Sequence, residues 1–325
     1  MKNIAIVSGG YSGEYEISVQ SAAMVRENLD NSKYDSYIIV IDKDQWYYKD
    51  GDNICHQINK SDFTLKLFDQ IVKFDGVFNA IHGTPGEDGK LLGYFDLLNM
   101  PYTSCGMDTS ALTFNKYLCN NFVRSMGINV AKSFSFIDGD LINKEEVIAS
   151  LGLPIFVKPA RSGSSVGVSK VSSAEDFDNA VNKAFKTDNR ILIEETIVGR
   201  EIACGLFVKN KKLNILPLTE IISKNDFFDY EAKYTAGLAE EITPPHNLDI
   251  EQETDIKAIS SLLYNKLDCK GVVRIDYILT STELYFIEIN TVPGFSKASI
   301  IPRQAEAMGI TVTELFNAVV ENMFE

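Results

Sequence analysis

Short apolar runs that alternate with helical patterns constrain this chain more than any other feature. Residues 3–8 form a buried-type run that ends in Gly9-Gly10, and a helical stretch follows with Ala22, Val25 and Leu29 on one face. Residues 34–41 and 76–81 read as further strands, and 90–98 as a helix. A helix between two strands is the crossover that parallel pairing needs. The first third is therefore expected to be α/β, with a parallel, doubly wound sheet.

The middle changes character. A helical stretch near 108–126 precedes a strand at 154–158, and the small-residue segment 161–169 comes next. Residues 173–185 read as a helix that opens with Ser173 and Asp176 at capping-box spacing. A strand returns at 190–194, and the alternation Ile202, Cys204, Leu206, Val208 predicts a half-buried antiparallel strand. Residues 223–247 are polar and contain proline, and a loop of that length is usually functional. Boundaries near 110 and 200 divide the chain into units 1–110, 111–200 and 201–325.

Charge narrows the function classes. A formal net charge of −14 makes the chain a poor candidate for non-specific binding to nucleic acid or anionic membrane. Any phosphate must be handled by local lysines, backbone N–H groups and metal ions. The five cysteines are scattered without a CxxC pair, which disfavours zinc ribbons and fits a reducing cytosol. The N-terminal apolar stretch is too short for a signal peptide and no run approaches a membrane span, so a cytoplasmic protein is expected.

The most informative segment is 271–290. It reads as two strands joined by a turn near 280–283. Period-two geometry puts Arg274 and Asp276 on one face of the first strand, and Glu288 and Asn290 on one face of the second. Pairing the strands gathers two carboxylates, an amide oxygen and a guanidinium. Hard oxygen ligands without histidine suit Mg²⁺ beside nucleotide phosphates. Ile275, Tyr277, Ile287 and Ile289 are expected to form the apolar opposite face, which argues against a merely solvated hairpin.

Three loops add to this. Lys158 at a strand end, followed by a Gly/Ser segment to Gly167, makes a reasonable phosphate cradle, although it is not a Walker A motif. Gly9 to Glu14 lacks GxGxxG spacing, and Glu14 is better placed to hold a cationic group. The loop 82–89 carries His82, whose ordinary role after a strand is a structural hydrogen bond. With three histidines in all, no histidine metal site is expected.

Together these segments resemble the D-alanine–D-alanine ligases of the ATP-grasp superfamily. The resemblance spans nearly the whole chain through residues 9–18, 82–89, 157–169, 228–234, 271–276 and 288–294, in family order. It implies a Rossmann-like N-terminal domain followed by a two-subdomain ATP-grasp fold. It also implies that Lys116 and Lys158 contact ATP phosphates, that Glu194 and Ile197 lie near adenine, and that Glu201 binds ribose. Asp276, Glu288 and Asn290 would hold two Mg²⁺ (or Mn²⁺) ions, with a monovalent cation as a further candidate activator. Glu14 would hold the first D-alanine's ammonium with His82 nearby, and Ser164 and Tyr234 would order the closed site with it. Arg274 and the Gly294 N–H would stabilise the transferring phosphate and oxyanion. Ser299 and the Ile300 N–H would receive the second D-alanine's carboxylate. Lys233 would reach the γ-phosphate from 223–247, which would act as a lid.

The implied chemistry is conversion of one carboxylate to an acylphosphate, followed by attack of a second substrate's amine, in a cytoplasmic homodimer that serves peptidoglycan precursor synthesis. Asn115, where the family often has aspartate, and Ala298, where many members have histidine, depart from the pattern. Two rivals stand beside this expectation. One is a related ligase with D-serine or D-lactate as acceptor, although the segment 228–234 argues against lactate. The other is an inactive nucleotide-binding regulator, which the intact Arg274, Asp276, Glu288 and Asn290 disfavour.

Overall fold

The computed structural model describes residues 1–223 and 239–325. Their strands form three sheets. In the first, β1 (Lys2–Gly9) lies between β2 (Tyr34–Ile41) and β7 (Gly76–Asn79), and both pairings are parallel. The expected parallel arrangement is thus the inner part of the sheet. An antiparallel extension that the sequence reading did not anticipate continues from β2 through β3 (Trp46–Lys49), β4 (Cys55–Asn59), β5 (Thr64–Leu67) and β6 (Gln70–Val72). Its first turn was legible: Asp42 Oδ1 accepts from the Asp44 and Gln45 N–H groups at 2.9 and 2.8 Å, a side-chain-closed turn ahead of the aromatic run Trp46-Tyr47-Tyr48.

The run in β1 is continuous because both of its faces are buried. Ile4 and Ile6 pack with Ala22 and Val25 of the helix Tyr15–Asn28, and with Leu315, Phe316 and Val319 of the helix Val312–Met323. Ala5 and Val7 pack on the other side with Leu91 and Phe95 of the helix Lys90–Leu97. The C-terminal helix therefore closes the N-terminal sheet.

The helical stretch expected near 108–126 is two helices, Met107–Phe114 and Lys116–Ser125. Asn115 separates them in an extended conformation, and its side chain accepts from the Leu118 N–H at 3.3 Å. Asparagine and aspartate cap a helix about equally well, so the departure at this position keeps the same local structure.

The second sheet runs β11 (Ser169–Val171), β10 (Ile155–Pro159), β12 (Arg190–Glu195) and β9 (Ser133–Ile137), antiparallel throughout. The helices Lys144–Leu151 and Phe177–Phe185 cover one face. The expected capping box at Ser173 does not form. Ser173 Oγ donates to the Asp176 side chain instead, and a 3₁₀ turn at Ala174–Asp176 leads into the α-helix.

The third sheet has the order β16 (Ala239–Ile242), β15 (Thr219–Ser223), β13 (Arg200–Lys209), β17 (Val273–Leu279), β18 (Leu284–Asn290) and β8 (Asn129–Val130), with β14 (Lys212–Ile215) paired to β13. Residues 239–242, expected within the long loop, are thus an edge strand. Ile202, Cys204 and Leu206 do share a face, packed with Ile256 and Leu263 of the helix Ile250–Lys266. The half-buried reading of β13 needs correction, because Ala203, Gly205 and Phe207 are buried as well. A side chain at Gly205 would collide with Ile301 and Gln304 of the helix Ile300–Ala307, so glycine allows that helix to lie on the strand.

Among the described residues no helix is long and apolar enough to cross a membrane. Gly271, which precedes β17, has φ +64°, and a Cβ there would run into the Thr103 carbonyl. We expect Gly271→Ala to cost about 2–4 kcal/mol of stability. Urea unfolding should show a lower midpoint at unchanged slope; a midpoint equal to wild type would mean the chain relaxes around the clash.

Candidate active site

One face of the third sheet carries the chemistry. Register sets Gly205, Arg274 and Asn290 in one row across β13, β17 and β18, and Ala203, Asp276 and Glu288 in the next. Beyond Asp276 the register shifts, so that Tyr277 faces Phe286 rather than Ile287. The expected apolar face is therefore corrected at one position. Phe286 joins Ile275, Tyr277 and Ile289 in the core, and the bulged Ile287 lines the cleft with Glu288.

The charges on this face are paired. Arg274 donates from Nε and Nη2 to the two oxygens of Asp276, both at 2.8 Å, and Asn290 Nδ2 donates to Asp276 Oδ2 at 3.0 Å. Burial alone would lower the Arg274 pKa, but Asp276 outweighs it and raises it further. Lys116, first residue of its helix, reaches Glu288 Oε2 at 3.1 Å and donates to the Ser162 carbonyl at 3.0 Å. Burial lowers its pKa too, and Glu288 reverses that. Among the described residues no three or more His, Cys, Asp or Glu side chains gather as a metal cluster. The donor set at the hairpin is two carboxylates and an amide.

Two cavities open on this face. The first is lined by Lys116, Lys158, Ser164, Glu194, Ile197, Glu201, Arg274, Asp276 and Glu288, with apolar walls from Phe156, Ile278, Phe286 and Ile287. Lys158 Nζ meets Glu194 Oε2 at 2.5 Å, joining the strand end of β10 to β12. Asn120 Nδ2 donates to Glu194 Oε1 at 3.1 Å, while Asn120 Oδ1 has no hydrogen-bond partner among the described residues. The second cavity, about 380 Å³, is lined by Glu14, His82, Asn290, Gly294, Ser299 and Ile300, and shares Lys116, Ser162, Ser164, Arg274 and Glu288 with the first. Every expected site residue within the described range lies on one or both walls. Lys233 and Tyr234, with most of the expected lid, lie outside the described residues.

Within the second cavity, Ser164 Oγ donates to Glu14 Oε1 at 2.5 Å, bridging the loop between β10 and β11 to the loop after β1. Ser164 and Ser165 hold positive φ, 47° and 58°, a conformation uncommon outside glycine. His82 is buried, and both ring nitrogens are engaged. Nδ1 donates to the Val292 carbonyl at 2.8 Å, which leaves Nε2 to accept from Ser21 Oγ at 2.9 Å. Burial lowers the His82 pKa and keeps the ring neutral, although Glu14 pulls the other way.

Glu87 is a wall residue that the sequence reading missed, although it sits in the same 82–89 loop. Its carboxylate accepts from the Gly83 N–H at 2.6 Å and the Val292 N–H at 3.3 Å, tying that loop to the segment ahead of Gly294. Burial, with Glu14 nearby, pushes its pKa up to about 8. A glutamate that the fold keeps protonated contributes stability in full below its unfolded pKa of about 4.3, and that contribution drains away as pH rises to the folded value. The ligand-free protein should therefore lose stability between about pH 5 and pH 8, and Glu87→Gln should flatten the slope. Urea unfolding across that range measures it; parallel slopes for the two proteins would mean that Glu87 is ionised in the fold.

Comparison with known proteins agrees with this geometry. The family model for the D-ala D-ala ligase N-terminus matches residues 3–105, and that for the C-terminus matches 122–321. A curated D-alanine–D-alanine ligase of Azobacteroides pseudotrichonymphae is 43% identical over 99% of this chain and 100% of its own length. Among solved structures, the D-alanyl-alanine synthetase A of Vibrio cholerae superposes with a TM-score of 0.90 at 27% identity, covering 100% of this chain and 99% of that one. The VanG D-Ala:D-Ser ligase of Enterococcus faecalis superposes at 0.86 with 33% identity, covering 99% of each chain. Shared motifs, full-length similarity and the two joined cavities lead to one conclusion: this chain belongs to the D-alanine–D-alanine ligase family, with the ATP-grasp fold.

Proposed function

We propose that the chain joins two D-alanines into D-alanyl-D-alanine, with ATP converted to ADP and phosphate. The observation that carries the reading is the meeting of two cavities at Lys116, Ser164, Arg274 and Glu288. A nucleotide in the first would point its phosphates at a carboxylate in the second. That juncture is what phosphorylation of a carboxylate requires.

In this reading the apolar walls of the first cavity take the adenine, beside Glu194 and Ile197, and Glu201 takes the ribose. Lys116 and Lys158 offset phosphate charge, each leaving the carboxylate that holds it in the free protein. Asp276, Glu288 and Asn290 would hold Mg²⁺ or Mn²⁺, whose charge neutralises the phosphate oxygens. The fit rests on an all-oxygen donor set aligned across two strands, and on carboxylates already balanced by cations at the same place. Arg274, fixed by its fork on Asp276, faces the transferring phosphoryl group.

Glu14 holds the ammonium of the first D-alanine, and Ser164 fixes that carboxylate's orientation. Once the acylphosphate forms, the amine of the second D-alanine attacks its carbonyl carbon, and the Gly294 N–H stabilises the oxyanion until phosphate departs. Ser299 and the Ile300 N–H seat the second carboxylate at a helix N-terminus. His82 and Glu87 act from behind, holding the Val292 backbone and hence the approach to Gly294. Lys233 and Tyr234 would complete the site from the part of the expected lid between β15 and β16, which would exclude the water that hydrolyses the intermediate. A cytoplasmic homodimer serving peptidoglycan precursor synthesis belongs to the same reading.

Phosphate release from ATP tests the reading directly. D-alanine should support turnover, with D-serine weaker and L-alanine inactive. Turnover faster with D-serine as acceptor would instead favour the activity named for the Enterococcus faecalis relative. A second test concerns Glu14. Stranding a buried ammonium costs about 2–5 kcal/mol, so Glu14→Gln should cut D-alanine-dependent turnover about thirty- to several-thousandfold at ~1.4 kcal/mol per decade. ATP binding should barely change. Collapse of ATP binding with normal D-alanine dependence would move Glu14 to the nucleotide site.

A further inference from the structure

The first cavity holds a buried amide that the reading above leaves unused. Asn120 lies one turn beyond Lys116 on the helix Lys116–Ser125, so both side chains leave the same helix face, and both line this cavity. Its neighbours Cys119 and Val123 pack into the core of the third sheet. Asn120 instead reaches across to the second sheet, where Glu194 stands opposite Phe156 in the β10–β12 ladder. Among the described residues two side chains hold the Glu194 carboxylate: Asn120 Nδ2 donates to Oε1 at 3.1 Å, and Lys158 Nζ meets Oε2 at 2.5 Å. Asn120 is only 3% exposed, and its Oδ1 finds no donor among the described residues. A buried acceptor without a donor costs stability, whereas an apolar side chain of the same size would avoid that cost. What the position gains from an amide is its donor end, and that end is on Glu194.

We infer that Asn120 is a positioning residue for base recognition: it fixes the Glu194 carboxylate so that the other oxygen accepts from the exocyclic amino group of adenine. The inference rests on the proposed seating of adenine beside Glu194. In that seating Lys116 and Lys158 turn to the phosphates, and the departure of Lys158 frees Oε2 of Glu194. With no second partner the carboxylate would then turn about its terminal torsion, which is broad for glutamate. Asn120 carries no charge to be drawn toward phosphate, so its Nδ2 stays on Oε1. An ionised carboxylate only accepts hydrogen bonds. Held in one orientation beside Phe156, it favours a base that presents an amino group there and opposes one that presents a carbonyl oxygen. The amide thus turns a carboxylate shared with a lysine into a reader of the base.

This role has a signature that a structural tie between two sheets lacks, because it depends on which base is bound. The test compares ATP with inosine triphosphate, which carries a carbonyl in place of the amino group, and with purine riboside triphosphate, which carries only hydrogen there. Phosphate release at saturating D-alanine gives the KM of each nucleotide. Wild type should favour ATP over purine riboside triphosphate, the amino group being the difference. Asn120→Leu should raise the KM of ATP about tenfold and leave that of purine riboside triphosphate near its wild-type value. Inosine triphosphate should gain on ATP by a similar factor. Thermal unfolding of the free Asn120→Leu protein should lie at or above wild type, since the unpartnered oxygen is gone. Asn120→Ala, which needs no extra room, gives the same nucleotide comparison if leucine does not fit. An equal rise for ATP and purine riboside triphosphate, or an undiminished preference for ATP, overturns the Asn120 assignment alone. Equal KM values for those two nucleotides in the wild type would mean that nothing reads the amino group. That result overturns the seating of adenine beside Glu194, and this inference with it.

Discussion

Pairwise neutralisation of charge on the β17–β18 hairpin is the interaction on which the rest of the molecule depends. Arg274 with Asp276, and Lys116 with Glu288, place four charged side chains on one largely enclosed sheet face. An unpaired charge there would carry a desolvation penalty of several kcal/mol, so the pairs must form together with the fold. They also join parts of the chain far apart in sequence. Lys116 comes from a helix that precedes the second sheet, yet its ammonium belongs to the third. Because each carboxylate already has a cation, a ligand carrying its own charge and counter-ions can exchange partners without creating a bare charge.

Around this hairpin the three sheets are fastened by elements remote in sequence. The helix Val312–Met323 shares a core with β1, so the last residues of the chain cover the first strand. The helices Met107–Phe114 and Lys116–Ser125, with β8, pack toward the third sheet rather than the second, and Cys105, Cys119, Val123 and Ile128 belong to its core. His82 and Glu87 then link the strand ends of the first sheet to the Val292 backbone at 2.8 and 3.3 Å. The N-terminal sheet is therefore a wall of the site as well as a neighbour of it.

Much of this was legible in the residue order. The parallel core of the first sheet follows from runs buried on both faces, and the Arg274, Asp276, Glu288 and Asn290 face follows from period two. What escaped has physical causes. The bulge at Ile287 changes parity within a strand, and alternation of apolar residues cannot report that. Asn115 divides two helices by capping the second, whereas the apolar pattern runs on through it. Burial of the second face of β13 comes from the helices Ile300–Ala307 and Val312–Met323, about a hundred residues away. Glu87 sits in a loop that was recognised, but its role depends on the Val292 N–H, which only folding brings near.

The bulge has a consequence for how this chain can vary in length. Upstream of Ile287 the hairpin places Tyr277 and Phe286 in the core, and downstream it places Glu288 and Asn290 in the cleft. One extra residue reconciles the two halves. Deleting it would realign the strand by a single position and point either the apolar half or the ligand half the wrong way. Natural insertions and deletions should therefore be absent from 273–290, even though side chains there can be exchanged. The turn residues 51–53 are exposed and carry no such parity, so they are a place where the chain can gain or lose residues more readily, provided Asp50 keeps its bonds to the turn.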